Sequence, residues 1–250
     1  MQRGGYTVWA HWKTHAAVER ILDGLPRGRL VDLAAGHGAM SDAARHMGFD
    51  VTACDIQPEN FRAPGIRCVG CDLNGRMPFD DASFDVAVCV EGIEHLRDRY
   101  AFLRECFRIL RPGGALVLTT PNVLNLSSRL RFFLGGFPSL FRPPNEFRPD
   151  PSHGHISPTP WYYLRHALLL SGFTDLRVHT DRYRRSALLL AWLYPAVVLA
   201  GRHCTRRERD PAQRAANREL LREMRSAALL FGRTLIAVAA KPSGPAAGRS

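Results

Sequence analysis

Lysine is nearly missing from this chain of 250 residues: Lys13 and Lys241 are the only two, so its 34 basic residues are almost wholly arginine. Long apolar runs are missing as well. None reaches the roughly 18 to 20 consecutive residues of a membrane-spanning helix, and the opening MQRGGYTVWAHWK carries no apolar stretch of the signal-peptide kind. Nor is there a disulfide framework, because the six cysteines fall mostly inside apolar runs, as small buried hydrophobes do. These absences argue against a secreted or spanning protein and predict a single domain in a reducing cytoplasm. What is present is ordinary globular composition, 46% apolar and 23% charged, which excludes disorder throughout.

Charge is distributed unevenly. Residues 1–120 hold 14 basic against 15 acidic side chains, whereas residues 121–250 hold 20 against 8. The planar arginine fork suits phosphate or anionic headgroups. A GC-rich coding bias explains the preference for arginine over lysine without any function, but not its concentration in one half.

Short β-branched runs alternate with helical patterns through the first half, the signature of a parallel sheet wrapped by helices, an α/β fold. Strands are expected at 29–34, 50–56, 66–72, 84–90 and 114–120, with helices near 14–24, 38–47 and 97–110 and a turn at RPGG, 111–114. Residues 122–158 read as a Pro-, Arg- and aromatic-rich loop, long enough to be a lid or to contain short helices. A helix follows at 160–171, with Thr159 as N-cap and Pro160 at its first position, then a sixth strand near 173–180 and a seventh at 234–240.

VDLAAGHG at 31–38 sits where a strand ends and a helix begins. Glycines there let backbone pass close to a ligand, and the helix start offers free N–H groups. A dinucleotide turn would need a third glycine, and Ser41 stands in its place. Asp32, inside the strand, would repel a pyrophosphate and suits a cationic or amino-bearing ligand.

With these residues the chain resembles the class I S-adenosylmethionine-dependent methyltransferases, in the group of quinone and small-molecule O-methyltransferases, strongly over 28–121. The resemblance implies a Rossmann-like seven-stranded sheet, six strands parallel and the seventh antiparallel, with helices on both faces. It implies S-adenosylmethionine as cofactor, with Asp32, Ala34, Gly36 and Gly38 matching the D-x-G-x-G-x-G motif and Ala34 replacing its first glycine. Asp55, with Ile56 beside it, corresponds to the ribose-binding carboxylate. Asp72 and Leu73 match the adenine side, and Val90 and Glu91 the methionine end. ILRPGG at 109–114 is typical of the family as turn geometry.

Methyl transfer from a sulfonium is an in-line displacement that needs positioning and, for a hydroxyl acceptor, proton removal. Candidate bases are His95, just past the fourth strand, and His153 and His155 in the loop SHGHISP. His95 reads equally as a helix-start residue bonded to backbone. A metal is not expected, since no cysteine or carboxylate cluster stands beside the histidine pair in sequence. Cys68 and Cys71 are expected on opposite strand faces, as core residues. The loop and helix at 122–171, together with residues 1–15, are expected to form a lid over the acceptor pocket, with Trp9, Trp12, Phe132, Phe133, Trp161 and Tyr162 as its apolar lining or as local core.

In the resemblance the last two strands form a hairpin, but here about fifty residues intervene, giving a helical insertion over 181–230. Its apolar stretch, 186–200, is interrupted by Pro195 and flanked by Arg182, Arg184 and Arg185 on one side and Arg202, Arg206 and Arg207 on the other. Such a segment is too short to span a bilayer but can lie in its interface, which predicts peripheral contact through 182–207 at the inner face of a bacterial membrane and a lipid-linked acceptor. A buried helix or a homodimer contact is the alternative. The expected reaction is methylation of a hydroxyl on a small-molecule or lipid-linked acceptor, such as a quinone precursor or lipid-linked sugar. Nucleic acid is the less expected partner. An RNA methyltransferase and a non-catalytic protein that keeps the fold remain the other readings. The tail, 242–250, is expected to be disordered.

Overall fold

The computed structural model describes residues 2, 3, 6, 7, 10–141, 143 and 154–244. A short antiparallel pair, Gln2–Arg3 with Tyr6–Thr7, precedes the main sheet, whose strands are β1 (Arg29–Leu33), β2 (Asp50–Asp55), β3 (Arg67–Gly70), β4 (Phe84–Cys89), β5 (Leu110–Pro121), β6 (Thr174–His179) and β7 (Thr234–Ala240). They form one seven-stranded sheet in the order β3-β2-β1-β4-β5-β7-β6. β7 pairs antiparallel with both β5 and β6, and the other six run parallel, as the resemblance implied.

Alternation along the strands decides which helices cover which face. Val31 and Leu33 of β1, Ala87 and Cys89 of β4, and Leu116 and Leu118 of β5 point to one core, shared with α3 (Arg99–Ile109) and α5 (Trp161–Leu170). Leu30, Val86, Val88, Val117 and Ile236 point to the other, under α1 (Trp12–Asp23) and α2 (Ala39–His46). Each such aliphatic side chain taken fully out of water contributes about 1.5 to 3 kcal/mol. Asp32 shares its face with Leu30, so its carboxyl is carried under α2 rather than into solvent.

Several local expectations are corrected. The RPGG segment lies within β5, where pairing with β4 jumps from Phe84–Leu110 to Val86–Ala115 and Gly113 takes φ +82°; the turn is absorbed as an irregularity of the strand. The stretch after Pro121 does contain a short helix, one of the two readings open for it: α4 (Leu126–Gly135), whose N-cap Asn125 accepts the Ser128 N–H. Pro160, not Thr159, occupies the N-cap of α5; the Thr159 hydroxyl instead donates to the Ser157 carbonyl. Cys71 lies just beyond β3, buried and hydrogen-bonded to Cys54, while Cys68 is only half-buried, so the strand-face argument applies to neither as stated.

The insertion is broken into α6 (Arg185–Leu188), a single 3-10 turn at Ala191–Leu193, α7 (Tyr194–Thr205) and α8 (Pro211–Glu223), followed by α9 (Ala227–Phe231). Pro195 does not interrupt a helix but sits in the first turn of α7, where its missing N–H costs nothing. α8 is anchored to α5: the Trp161 indole donates to Glu223 at 2.7 Å, and Arg165 pairs with Glu219 and Glu223. Trp161 is therefore core rather than pocket lining. Trp9 and His153, and the tail beyond Gly244, lie outside the described residues.

Candidate active site

Because β1 to β4 are parallel, the residues that end them share one edge of the sheet, the edge where open α/β sheets bind ligands. The turn after β1 is built on left-handed backbone: Ala34 at φ +60°, Gly36 at +53° and Gly38 at +90°. Ala34 holds a conformation that costs an L-residue about 1 to 2 kcal/mol. At Gly38 a Cβ would come within 2.6 Å of the Phe61 ring and 2.8 Å of Ala63, so only glycine fits. The Gly36 N–H donates to Asp55 Oδ2 at 2.8 Å, and the Gln57 N–H to Oδ1 at 2.9 Å. Each carboxylate oxygen retains a second acceptor position for a ligand hydroxyl. Beside it Ile56 is 61% exposed, an apolar surface turned outward next to a polar site.

Asp72 caps its own turn, accepting both the backbone and side-chain N–H groups of Asn74 at 2.9 Å, and these bonds hold its carboxyl below the usual range. Leu73 next to it is buried. Asp32 is 1% exposed and accepts the Ser41 hydroxyl at 2.5 Å; burial drives its carboxyl up to about 7. An adjacent cationic group would reverse that shift.

The turn after β4 adds a second strained residue, Glu91 at φ +53°, whose N–H donates to the Thr119 hydroxyl at 2.9 Å. Burial, with Asp181 adding, raises its carboxyl to about 7, while Arg233 and Arg182 oppose the rise. The same charged group reaches α1, where the Thr14 hydroxyl donates to Asp181 at 3.0 Å. Sequence reasoning missed Thr14, Asp181 and Arg233, since nothing in their spacing announces a meeting across 167 residues. Val90 is half-buried beside Glu91.

His95 and His155 come together. Their rings lie 5.1 Å apart, edge to face, and each donates Nδ1–H to a backbone carbonyl, His95 to Gly154 at 2.9 Å and His155 to Leu140 at 3.0 Å. A carbonyl only accepts, so each imidazole carries its proton on Nδ1. Glu94, fully buried, ties the returning loop to this point: its carbonyl accepts the N–H groups of Ile156 and Ser157 at 3.0 and 2.9 Å. No cysteine or carboxylate cluster was expected beside His153 and His155; in space a single carboxylate, Glu94, lies near His95 and His155.

This sheet order and strand-end site define the class I S-adenosylmethionine-dependent methyltransferase fold. Residues 31–118 match the sequence family described as "Methyltransferase domain". A ubiquinone biosynthesis O-methyltransferase of Psychrobacter arcticus is 31% identical over 129 residues, 47% of this chain and 48% of that protein. The chain thus spans about half the length of the curated relatives it matches. Among solved structures, a SAM-dependent methyltransferase from Archaeoglobus fulgidus superposes with a TM-score of 0.58 at 18% identity, covering 91% of this chain and 92% of that one. A phosphoethanolamine N-methyltransferase 2 of Haemonchus contortus in complex with S-adenosyl-L-methionine does so at 0.53 and 16% identity, covering 92% and 53%.

Proposed function

We propose that this chain transfers a methyl group from S-adenosylmethionine to a hydroxyl oxygen of a small-molecule acceptor. The observation that carries the reading is the Gly36–Asp55 hydrogen bond, which joins the left-handed glycine turn to a carboxylate with open acceptor positions at the ligand-binding edge. The residues fit the cofactor chemically: Asp55 for the ribose hydroxyls, Ile56 and Leu73 as apolar neighbours of the base, Asp72 for its amino group. The buried acidic Asp32 lies behind the turn, favouring positive charge there. When bound, the cofactor supplies an electrophilic methyl group. The chain's own share is to orient the acceptor and move its proton, and Glu91, His95 and His155 are the groups on that side. The name of the relatives, ubiquinone biosynthesis O-methyltransferase, favours oxygen as the acceptor atom. Conversion of S-adenosylmethionine to S-adenosylhomocysteine with phenolic acceptors, lost in Asp55→Ala, is the test.

The acceptor is lipid-linked on this reading, and the insertion rests on an anionic bilayer. Support comes from the surface around α4, α6 and α7. Phe133 is 83% exposed and Trp192 73%, with Leu134 and Leu189 also outward. A groove of about 570 Å³ between α4 and α6 is lined by Leu130, Leu134, Leu189 and Leu190, with Arg131 among them. Apolar side chains rimmed by arginine match an interface of acyl chains and anionic headgroups. Among the described residues no helix is long and apolar enough to cross a membrane. Sedimentation with phosphatidylglycerol vesicles, abolished by Phe133→Ser with Trp192→Ser, tests the contact; equal binding by the double variant would refute it.

A further inference from the structure

We propose that Glu94, His95 and His155 form a binding site for one divalent transition-metal ion of the zinc type. One ring nitrogen of each histidine and one carboxylate oxygen of Glu94 lie within 4.8 Å of one another. Two histidines and a glutamate are a known zinc donor set, and a fourth position left to water or substrate makes such a site catalytic rather than structural.

Three further observations favour an ion over a chance cluster. Both imidazoles donate Nδ1–H to backbone carbonyls, His95 to Gly154 and His155 to Leu140, bonds that fix the orientation of each ring. Metal-bound histidines are oriented by bonds of this kind. Glu94 is fully buried, and the groups that reach its carboxyl are neutral, the Thr120 hydroxyl and its own backbone N–H. A buried carboxylate left so is costly unless something pairs with it. Finally, the Glu94 backbone carbonyl receives both Ile156 and Ser157, so the loop that brings His155 is fastened to the very residue that supplies the acid. Bond lengths of about 2.0 to 2.2 Å require the donors to draw inward from their present spread, and half-buried His155 on its loop is the one placed to move.

Resting on the methyl-transfer reading, the role of the ion follows from its charge. An acceptor hydroxyl bound to it releases its proton to water at neutral pH. The oxygen lone pair then takes the methyl carbon as the carbon–sulfur bond breaks, the electrons staying on a neutral thioether.

The test uses the full chain without a histidine tag. Equilibrium dialysis against Zn(II) followed by elemental analysis is expected to leave one ion per chain, and Co(II) titration to give the visible absorption of a four-coordinate site. Glu94→Gln and His155→Ala are each expected to weaken binding at least tenfold while the melting transition persists. His155 lies on a loop and its variant keeps the test open should Glu94→Gln fail to fold. No retained ion in folded protein, or binding equal in both variants and the parent, overturns the site. S-adenosylmethionine binding, measured on the same samples, separates the two readings: cofactor without metal defeats this inference alone, and metal without cofactor defeats the methyl-transfer reading.

Discussion

Asp55, the last residue of β2, accepts the backbone N–H of Gly36 at 2.8 Å, so the tip of the glycine turn is pinned to the neighbouring strand by a charged acceptor. Its other oxygen takes the Gln57 N–H at 2.9 Å. Asp55→Ala leaves both donors without their carboxylate. Chemical denaturation should show a loss of about 1 to 3 kcal/mol, with Asp55→Asn losing less because it keeps one carbonyl acceptor. Equal stability of Ala variant and parent would mean that the turn does not depend on this bond.

Asp32 gives the fold a pH dependence of defined sign. The folded state holds its proton up to about pH 7, against an ordinary value of 3.8. Between those limits the folded chain binds more protons than the unfolded one, so this residue's contribution falls as pH rises from about 4 to about 7. The loss is on the order of 4 kcal/mol once complete. Melting temperatures of the parent and Asp32→Asn across pH 4 to 8 should diverge, the variant gaining relative to the parent toward high pH. A constant difference would contradict the buried carboxyl.

Ala34 holds φ +60° at a place where glycine would be unstrained. Ala34→Gly relieves about 1 to 2 kcal/mol of left-handed strain and gives back about 0.4 to 1 kcal/mol through the more flexible unfolded chain. A net gain between zero and about 1.6 kcal/mol is expected in denaturant titration. Clear destabilisation would show that the alanine methyl packs better than its backbone suggests.

Trp161 joins α5 to α8 through Glu223. Trp161→Phe keeps most of the packing and removes the charge-assisted bond, a loss of about 1.5 to 3 kcal/mol, while Trp161→Ala loses about 3 to 5 kcal/mol. Glu223→Gln should fall below both. If Trp161→Phe is silent in thermal melts, the insertion is held by the apolar contacts of Leu220 and Met224 instead.

The sheet was legible because its signals are local. β-Branched runs bounded by glycine and proline mark every strand to within a few residues, and β7 at Thr234–Ala240 coincides with the expected segment. The strand-end turn was legible for the same reason, since Ala34, Gly36 and Gly38 follow β1 and Asp55 ends β2. The meeting of the histidines was not. His155 is brought to His95 and Glu94 by the bonds of Ile156 and Ser157 to the Glu94 carbonyl, and sequence spacing carries no trace of that meeting. Glu94 itself reads as the acidic residue of a turn, its burial being set by Thr120 and the folded loop. The helix α4 was hidden by its surroundings: one strong signal, the Asn125 cap, stands before a short amphipathic run within a proline-rich stretch.

The central claim, that the strand-end site binds S-adenosylmethionine, is tested most directly by titration calorimetry with S-adenosylmethionine and S-adenosylhomocysteine on purified protein. The account predicts micromolar binding of one molecule per chain, weakened at least a hundredfold in a folded Asp55→Ala variant, equivalent to about 2.7 kcal/mol. No binding by folded parent protein, or binding that Asp55→Ala leaves unchanged, would contradict it.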